Sequence, residues 1–245
     1  VGNLPFGICR TRKSKSDVDV WIEKETEHRR KALENASRYF DDKDSLTVNT
    51  LEAVYGQESS FGAMQGKRGI NGAAGHFMLK KATAEEYGLI VSKENDQRFD
   101  IDYASSAAAR YMKDINMVFS KKTILSRGVA TVPVENMAER KKFVLAAYNG
   151  GQGRIARAQY LAEEVEKDPQ LWNDVKKFLE KAGAEPDEAD EIRRYVENVP
   201  AYEIEFSEKS PADKNEKKKK GKSSGHRCTE GHWVTIDGRP VFICD

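Results

Sequence analysis

The stretch Val48-Asn49-Thr50-Leu51-Glu52-Ala53-Val54-Tyr55-Gly56-Gln57-Glu58-Ser59-Ser60-Phe61 carries a carboxylate where a helical pattern calls for an apolar side chain. Val48, Leu51, Val54 and Tyr55 recur at helical spacing, and Glu58 is the next residue on that stripe. A carboxylate facing a packed interior loses hydration, so its charged form is disfavoured and its pKa rises. A glutamate that stays protonated near neutral pH can serve as a general acid. The plainer reading of the same spacing is a helix-end glutamate pointing into water.

Outward from this helix, the chain reads as predominantly helical. Asp17 to Phe40 predicts one charged amphipathic helix, with Val18, Ile22, Leu33, Ala36 and Tyr39 or Phe40 on one face. Asp44 and Ser45 are candidate caps for the helix that runs to about Glu58. The glycines and small turn residues from Gly62 to Gly75 predict a loop whose backbone can approach a ligand closely. Further helices are predicted over Ala82 to Gly88, Ile101 to Phe119, Glu135 to Asn149, Arg154 to Val165, Pro169 to Lys181 and Asp187 to Val199. Gly150-Gly151 sits where a helix C-terminus favours glycine.

Beyond this region the composition changes. Ser207 to Gly225 is rich in Lys, Ser and Glu, includes Lys217-Lys218-Lys219-Lys220, and reads as a disordered linker. His232-Trp233-Val234-Thr235-Ile236 and Arg239-Pro240-Val241-Phe242-Ile243 flank Asp237-Gly238, a hairpin pattern with a turn suited to type I′. The segment has a weak likeness to short C-terminal pieces of phage and mobile-element proteins, so a cell-envelope or phage assembly partner is an expectation for it. The organisation is therefore an N-terminal extension over 1–44, a helical domain over 45–206, a linker over 207–225 and a β-hairpin over 226–245.

Lys plus Arg number 41 against 40 Asp plus Glu, so a net charge of +1 supplies no global attraction for nucleic acid. No apolar run approaches membrane-spanning length. The first residue is Val1, consistent with either a removed export segment or a cut boundary. Cys9, Cys228 and Cys244 form an odd set near the ends, in which a Cys228–Cys244 bridge is the simplest pairing.

Several separated patches carry a family pattern. Glu58-Ser59-Ser60-Phe61 comes first, followed by Gly72-Ala73-Ala74-Gly75-His76-Phe77-Met78-Leu79 with Ala82-Thr83 beyond it. Arg98-Phe99-Asp100 and Ala107-Ala108-Ala109-Arg110-Tyr111 are next, then Ala146-Ala147-Tyr148-Asn149-Gly150-Gly151-Gln152-Gly153-Arg154, and Glu191-Ile192-Arg193-Arg194-Tyr195-Val196 closes the series. In order and type these resemble the soluble lytic transglycosylases of the goose-type-lysozyme-like superfamily, over roughly residues 45 to 202. The resemblance implies a mainly α, lysozyme-like domain that cleaves peptidoglycan glycan strands. It implies Glu58 as the single catalytic acid/base, with Ser59, His76, Phe77, Met78, Tyr148, Asn149, Glu191 and Tyr195 contacting substrate. It also implies no metal, no cofactor, and a periplasmic, extracellular or virion-associated location.

The residues themselves leave plainer alternatives open. Tyr148 can be a core tyrosine and Asn149 a turn cap, and Glu191 and Tyr195 can be a surface glutamate and a packed ring. His76 has no second ligand at metal spacing nearby, so packing or substrate contact is the expectation. Asp96, Asp100 and Asp102 are candidate second carboxylates for a hydrolase, with Asp100 better suited to capping a helix. The sequence also departs from the family pattern. Met78 stands where an amide side chain is usual, and Lys81 replaces a proline before Ala82-Thr83. A lysozyme- or chitinase-like hydrolase and a weakly catalytic glycan-binding or assembly module are the competing readings.

Overall fold

The computed structural model describes residues 15–209, together with the backbone of two C-terminal segments, Gly231–Ile236 and Arg239–Cys244. Helices α1 (Asp17–Glu23), α2 (Glu27–Ser37), α3 (Val48–Ser59), α4 (Lys81–Glu86), α5 (Ile101–Ser120), α6 (Met137–Gly150), α7 (Gln152–Glu163), α8 (Trp172–Val175) and α9 (Pro186–Lys209) follow in that order. Phe143, Val144, Leu145, Ala146 and Ala147 of α6 are all fully buried. A helix apolar on every side must run through the middle of a core, and α6 packs against α5, α7 and α8. Ala107, Ala108, Met112, Ile115 and Phe119 form the buried face of α5, with the small alanines allowing close approach of neighbouring helices.

The predicted N-terminal helix is two helices. Thr26 breaks it by adopting extended backbone and accepting the Arg29 N–H, which caps α2. Residues 15–44 share the core of the helices that follow. Val18, Trp21 and Leu33 are buried, and the Trp21 ring lies against Phe61, Tyr202 and Phe206 at 6.1, 4.8 and 6.3 Å. On α3 a Cβ at Gly56 would lie 2.4 Å from the Trp21 ring, so only glycine permits this approach.

The cap of α3 is Thr47, paired reciprocally with Thr50, rather than Asp44 or Ser45. Asp44 is instead buried and accepts from Asn116, Lys113 and the Asp41 N–H at 2.6, 2.6 and 2.7 Å. The helix predicted over Pro169 to Lys181 is the short α8 followed by a tight turn at Lys176–Phe178, and it buries Trp172, Val175 and Leu179.

Helix α9 continues through Pro200 to Lys209, past the predicted end at Val199 and into the first residues of the expected linker. Proline removes one hydrogen bond but does not end a helix whose later residues are packed. Phe206 supplies that packing by stacking on Phe61 at 5.8 Å and on Trp21. Residues 210–225, the turn at Asp237-Gly238 and the three cysteine side chains lie outside the described residues. Taken by itself, the C-terminal unit pairs Gly231–Ile236 antiparallel with Arg239–Cys244 along the backbone.

The loop after α3 is built on unusual backbone. Ser60 and Phe61 both adopt left-handed conformations, with φ of 50° and 58°. Non-glycine residues resist this region, and burial of the Phe61 ring against Tyr55 at 4.5 Å offsets the cost. Further along, the fully buried Arg98 bonds Asp96 and donates to the carbonyls of Ile70, Gly72 and Leu79 at 2.9, 2.8 and 3.0 Å. Gly75 sits 2.1 Å (from an added Cβ) from the Arg98 carbonyl at φ +83°, so no other residue fits there. One guanidinium therefore gathers the glycine-rich loop and delivers Phe77 and Met78 to the end of α3.

Candidate active site

Glu58 lies in the last turn of α3 and is partly buried. Tyr195, on the buried face of α9, donates its hydroxyl to Glu58 Oε1 at 2.8 Å. Burial pushes the Glu58 carboxyl up to about 8; the Tyr195 hydrogen bond opposes that rise and the Glu191 charge adds to it. At neutral pH the group holds a proton it can donate. Its other carboxyl oxygen has no hydrogen-bond partner among the described residues.

Around Glu58 stand the end of α6 and one face of α9. Tyr148 donates to the Phe77 carbonyl at 2.9 Å, and its ring stacks with Tyr195 at 6.4 Å and 21°. Asn149 Nδ2 donates to Glu191 Oε1 at 3.1 Å. Gly150 lets α6 and α9 meet here, since a Cβ would lie 2.5 Å from Ile192. Burial, followed by the nearby Glu58 charge, raises both tyrosine hydroxyls well above their ordinary value. They remain neutral donors. Thus Glu58, Tyr148, Asn149, Glu191 and Tyr195 form one cluster from three helices.

The other residues expected to bind substrate divide differently. Ser59 is fully buried; its hydroxyl donates to the His76 carbonyl at 2.7 Å and accepts the Gly62 N–H at 3.0 Å. Phe77 is fully buried against Tyr55 at 5.4 Å. Neither side chain can touch a sugar in this arrangement, and each instead holds the loop against α3. His76 Nδ1 lies 3.0 Å from both the Tyr55 hydroxyl and Gln65 Nε2. Burial, with the Arg29 charge next, lowers its pKa to about 4, so the ring is neutral. It borders a recess of about 360 Å³ shared with Thr26, His28, Arg29 and Asp100, which contains no member of the Glu58 cluster. Of the 74–79 run only Met78 keeps partial exposure, at φ +46°.

The aspartates are occupied elsewhere. Asp96 is buried with Arg98, Asp100 caps α5, and Asp102 pairs with His28 at 2.7 Å. The carboxylate that does act on Glu58 is Glu191. Tyr111 is not among the residues expected to form the site, yet its ring lies 5.4 Å from Tyr148 and extends the aromatic wall. Its spacing on α5 marks burial, and nothing local marks what it is buried against. Among the described residues no three His, Cys, Asp or Glu side chains are grouped to hold a metal ion.

The family profile described as "Transglycosylase SLT domain" matches residues 36–171. This chain belongs to the transglycosylase SLT domain family. The chain is 31% identical over 170 residues to membrane-bound lytic murein transglycosylase F of Enterobacter sp. (strain 638), covering 66% of this chain and 29% of that protein. Its identity to the protein of the same name from Cronobacter sakazakii is 31% over 163 residues, covering 63% of this chain and 28% of the other. The chain thus spans under a third of the length of these curated relatives. The matched span includes α3 to α7, and so Glu58, Tyr148 and Asn149, while Glu191 and Tyr195 lie beyond the profile. Among the described residues no helix is long and apolar enough to cross a membrane.

Proposed function

We propose that this SLT domain is a peptidoglycan lytic transglycosylase that cleaves the β-1,4 bond between N-acetylmuramic acid and N-acetylglucosamine. The observation that carries the reading is Glu58, protonated near neutral pH, partly exposed, and oriented by Tyr195 at 2.8 Å. In the first step the Glu58 carboxyl gives its proton to the glycosidic oxygen as the C1–O bond breaks. In the second, the Glu58 carboxylate takes the proton of the muramoyl C6 hydroxyl while that oxygen bonds C1. The product is a 1,6-anhydro end, no water is consumed, and the acid is regenerated. The internal hydroxyl is already close to C1, so effective concentration takes the place of a bound nucleophile. Neutral Tyr195 and Tyr148 suit both halves of the cycle, because neither adds a charge when Glu58 changes its own.

Asn149, Glu191 and Met78 are the substrate contacts in this reading. An exported, periplasmic-type setting follows from the substrate. Residues 210–225 would act as a spacer, and 226–245 as a hairpin that engages an envelope or phage assembly partner. Glu191 favours a second reading, hydrolysis, since a carboxylate near the acid could activate water. Digestion of purified sacculi with product masses measured separates the two. Anhydro ends, lighter by one water than hydrolysed ends, are expected from the wild type, and Glu58→Gln is expected to release neither. Hydrolysed ends would move the assignment to a lysozyme-like enzyme, and cleavage by Glu58→Gln would remove Glu58 from it.

A further inference from the structure

A second cavity, of about 610 Å³, lies between α7 and the segment that joins α5 to α6. Lys122, Ala130, Arg157, Tyr160 and Glu163 are among the residues that line it, and none belongs to the Glu58 cluster. Its volume is that of a site for a small ligand or short peptide, not for a folded partner.

The joining segment is an incomplete strand pair. Ile124 and Ala130 form an antiparallel bridge, closed by Thr131 N–H to Thr123 O at 2.9 Å and Leu125 N–H to Val129 O at 2.7 Å. In that pattern the bridged residues turn their own N–H and C=O groups outward. Two residues on, Val132 presents the same outward edge, where Gln159 on α7 satisfies it completely. Gln159 Oε1 accepts from the Val132 N–H at 3.1 Å, and Nε2 donates to the Val132 carbonyl at 2.9 Å. The amide side chain thus takes the place of a neighbouring strand at position 132. The preceding slot, the N–H and C=O of Ala130, has no partner among the described residues and borders the cavity.

The charges around that open slot are also unmatched. Lys122 and Arg157 are exposed and have no ion-pair partner among the described residues, and neither has Glu163. We propose that this groove binds the stem peptide of peptidoglycan in extended form, one peptide unit bridging Ala130 as an added strand. Carboxylates of the peptide meet Arg157 and Lys122, and the free amine of its diamino acid meets Glu163. The exposed Tyr160 ring covers the aliphatic stem between them. A peptide carrying both signs of charge matches a lining of two cations and one anion; a uniformly acidic ligand would face Glu163 unpaired.

The inference rests on peptidoglycan as substrate, but its test does not need cleavage. The full chain is titrated with the tetrapeptide alanine, D-glutamate, diaminopimelate, D-alanine, with affinity measured and the Ala130 amide followed by NMR. Saturable binding with a shift at Ala130 is expected. Arg157→Glu should weaken it by about tenfold or more, as loss of a charge-assisted hydrogen bond does. Lys122→Glu is a second, independent exposed variant, and Arg157→Lys should recover part of the affinity. On peptide-bearing sacculi Arg157→Glu should cleave several-fold more slowly, and on glycan stripped of peptide it should match the wild type. Unchanged tetrapeptide affinity in Arg157→Glu, a silent Ala130 amide, or equal binding of an all-L acidic peptide lacking the amine would each overturn the proposal. Tetrapeptide binding retained by a protein that cleaves no glycan would keep the groove while removing the reaction.

Discussion

Helix α3 carries two glutamates six residues apart, one buried and one partly exposed, and their difference is instructive. Burial raises both carboxyl groups to about 8. Glu52 is 1% exposed, with one oxygen 3.7 Å from Arg30 and the other buried without a hydrogen-bond partner. The charges of Glu25 and Glu34 push it further up, and Arg30 pulls the other way. It sits sealed beneath the N-terminal helices. Glu58 has the same helix, the same acidity and a neutral phenol as partner, but it retains access to solvent. A perturbed pKa therefore marks two groups here, and only exposure and a donor aimed at one oxygen distinguish the acid that can reach a substrate.

The sharpest way to break this comparison is to remove each proton donor in turn. Glu58→Gln should lower the rate of glycan cleavage by about 10²–10⁴-fold, the usual contribution of a positioned acid/base. Next in size is Tyr195→Phe, which removes the hydrogen bond that favours ionised Glu58. The rate should fall by about tenfold, consistent with a hydrogen bond to a charged group. Because the wild-type acid must be protonated, activity should decline as pH rises through about 8. In Tyr195→Phe that decline should move to higher pH, and a limb moving down would sink the assignment of Glu58 as its source.

A third measurement addresses stability. The folded-state pKa of Glu52, about 8, is raised above the ordinary 4.5. Between those values the folded protein holds a proton that the unfolded chain has released, so stability falls as pH rises through the window. Glu52→Gln does not titrate and escapes that loss. Its gain should be absent below about pH 4.5 and reach on the order of 1–3 kcal/mol by pH 8, read from denaturant melts at several pH values. The smallest expected effect is on its catalysis. Glu52→Gln should keep kcat within about twofold of wild type, since general-acid effects require contact with the reacting atoms. A large loss there would erase the distinction between the two glutamates.

Much of this site was legible from local patterns. The 48–61 stripe marked Glu58, the Tyr148-Asn149-Gly150-Gly151 run marked a helix end, and Glu191 and Tyr195, four apart, share a helix face. Failures of the reading have physical causes. Thr26 interrupts an otherwise continuous stripe because its side chain caps the next helix better than it extends the last. Pro200 does not end α9 because Phe206 has aromatic partners on α1 and after α3. Ser59, His76 and Phe77 belong to the right patch, yet two have their side chains wholly enclosed and the third borders another recess. Position in a motif brings a residue near the chemistry but does not decide which way it faces.

Helix periodicity, the carboxylate at position 58 and the order of the patches are properties of neighbours along the chain, and the sequence by itself determined them. The Tyr195–Glu58 hydrogen bond spans 137 residues. Other long-range facts depend on packing in the same way: the Glu191 charge beside the acid, the placing of Glu52 beside Arg30 of α2, and the open strand edge at Ala130. Only the tertiary structure decided these, because desolvation and hydrogen-bond geometry depend on what α9, α6 and the N-terminal helices bring alongside, and no local pattern encodes that.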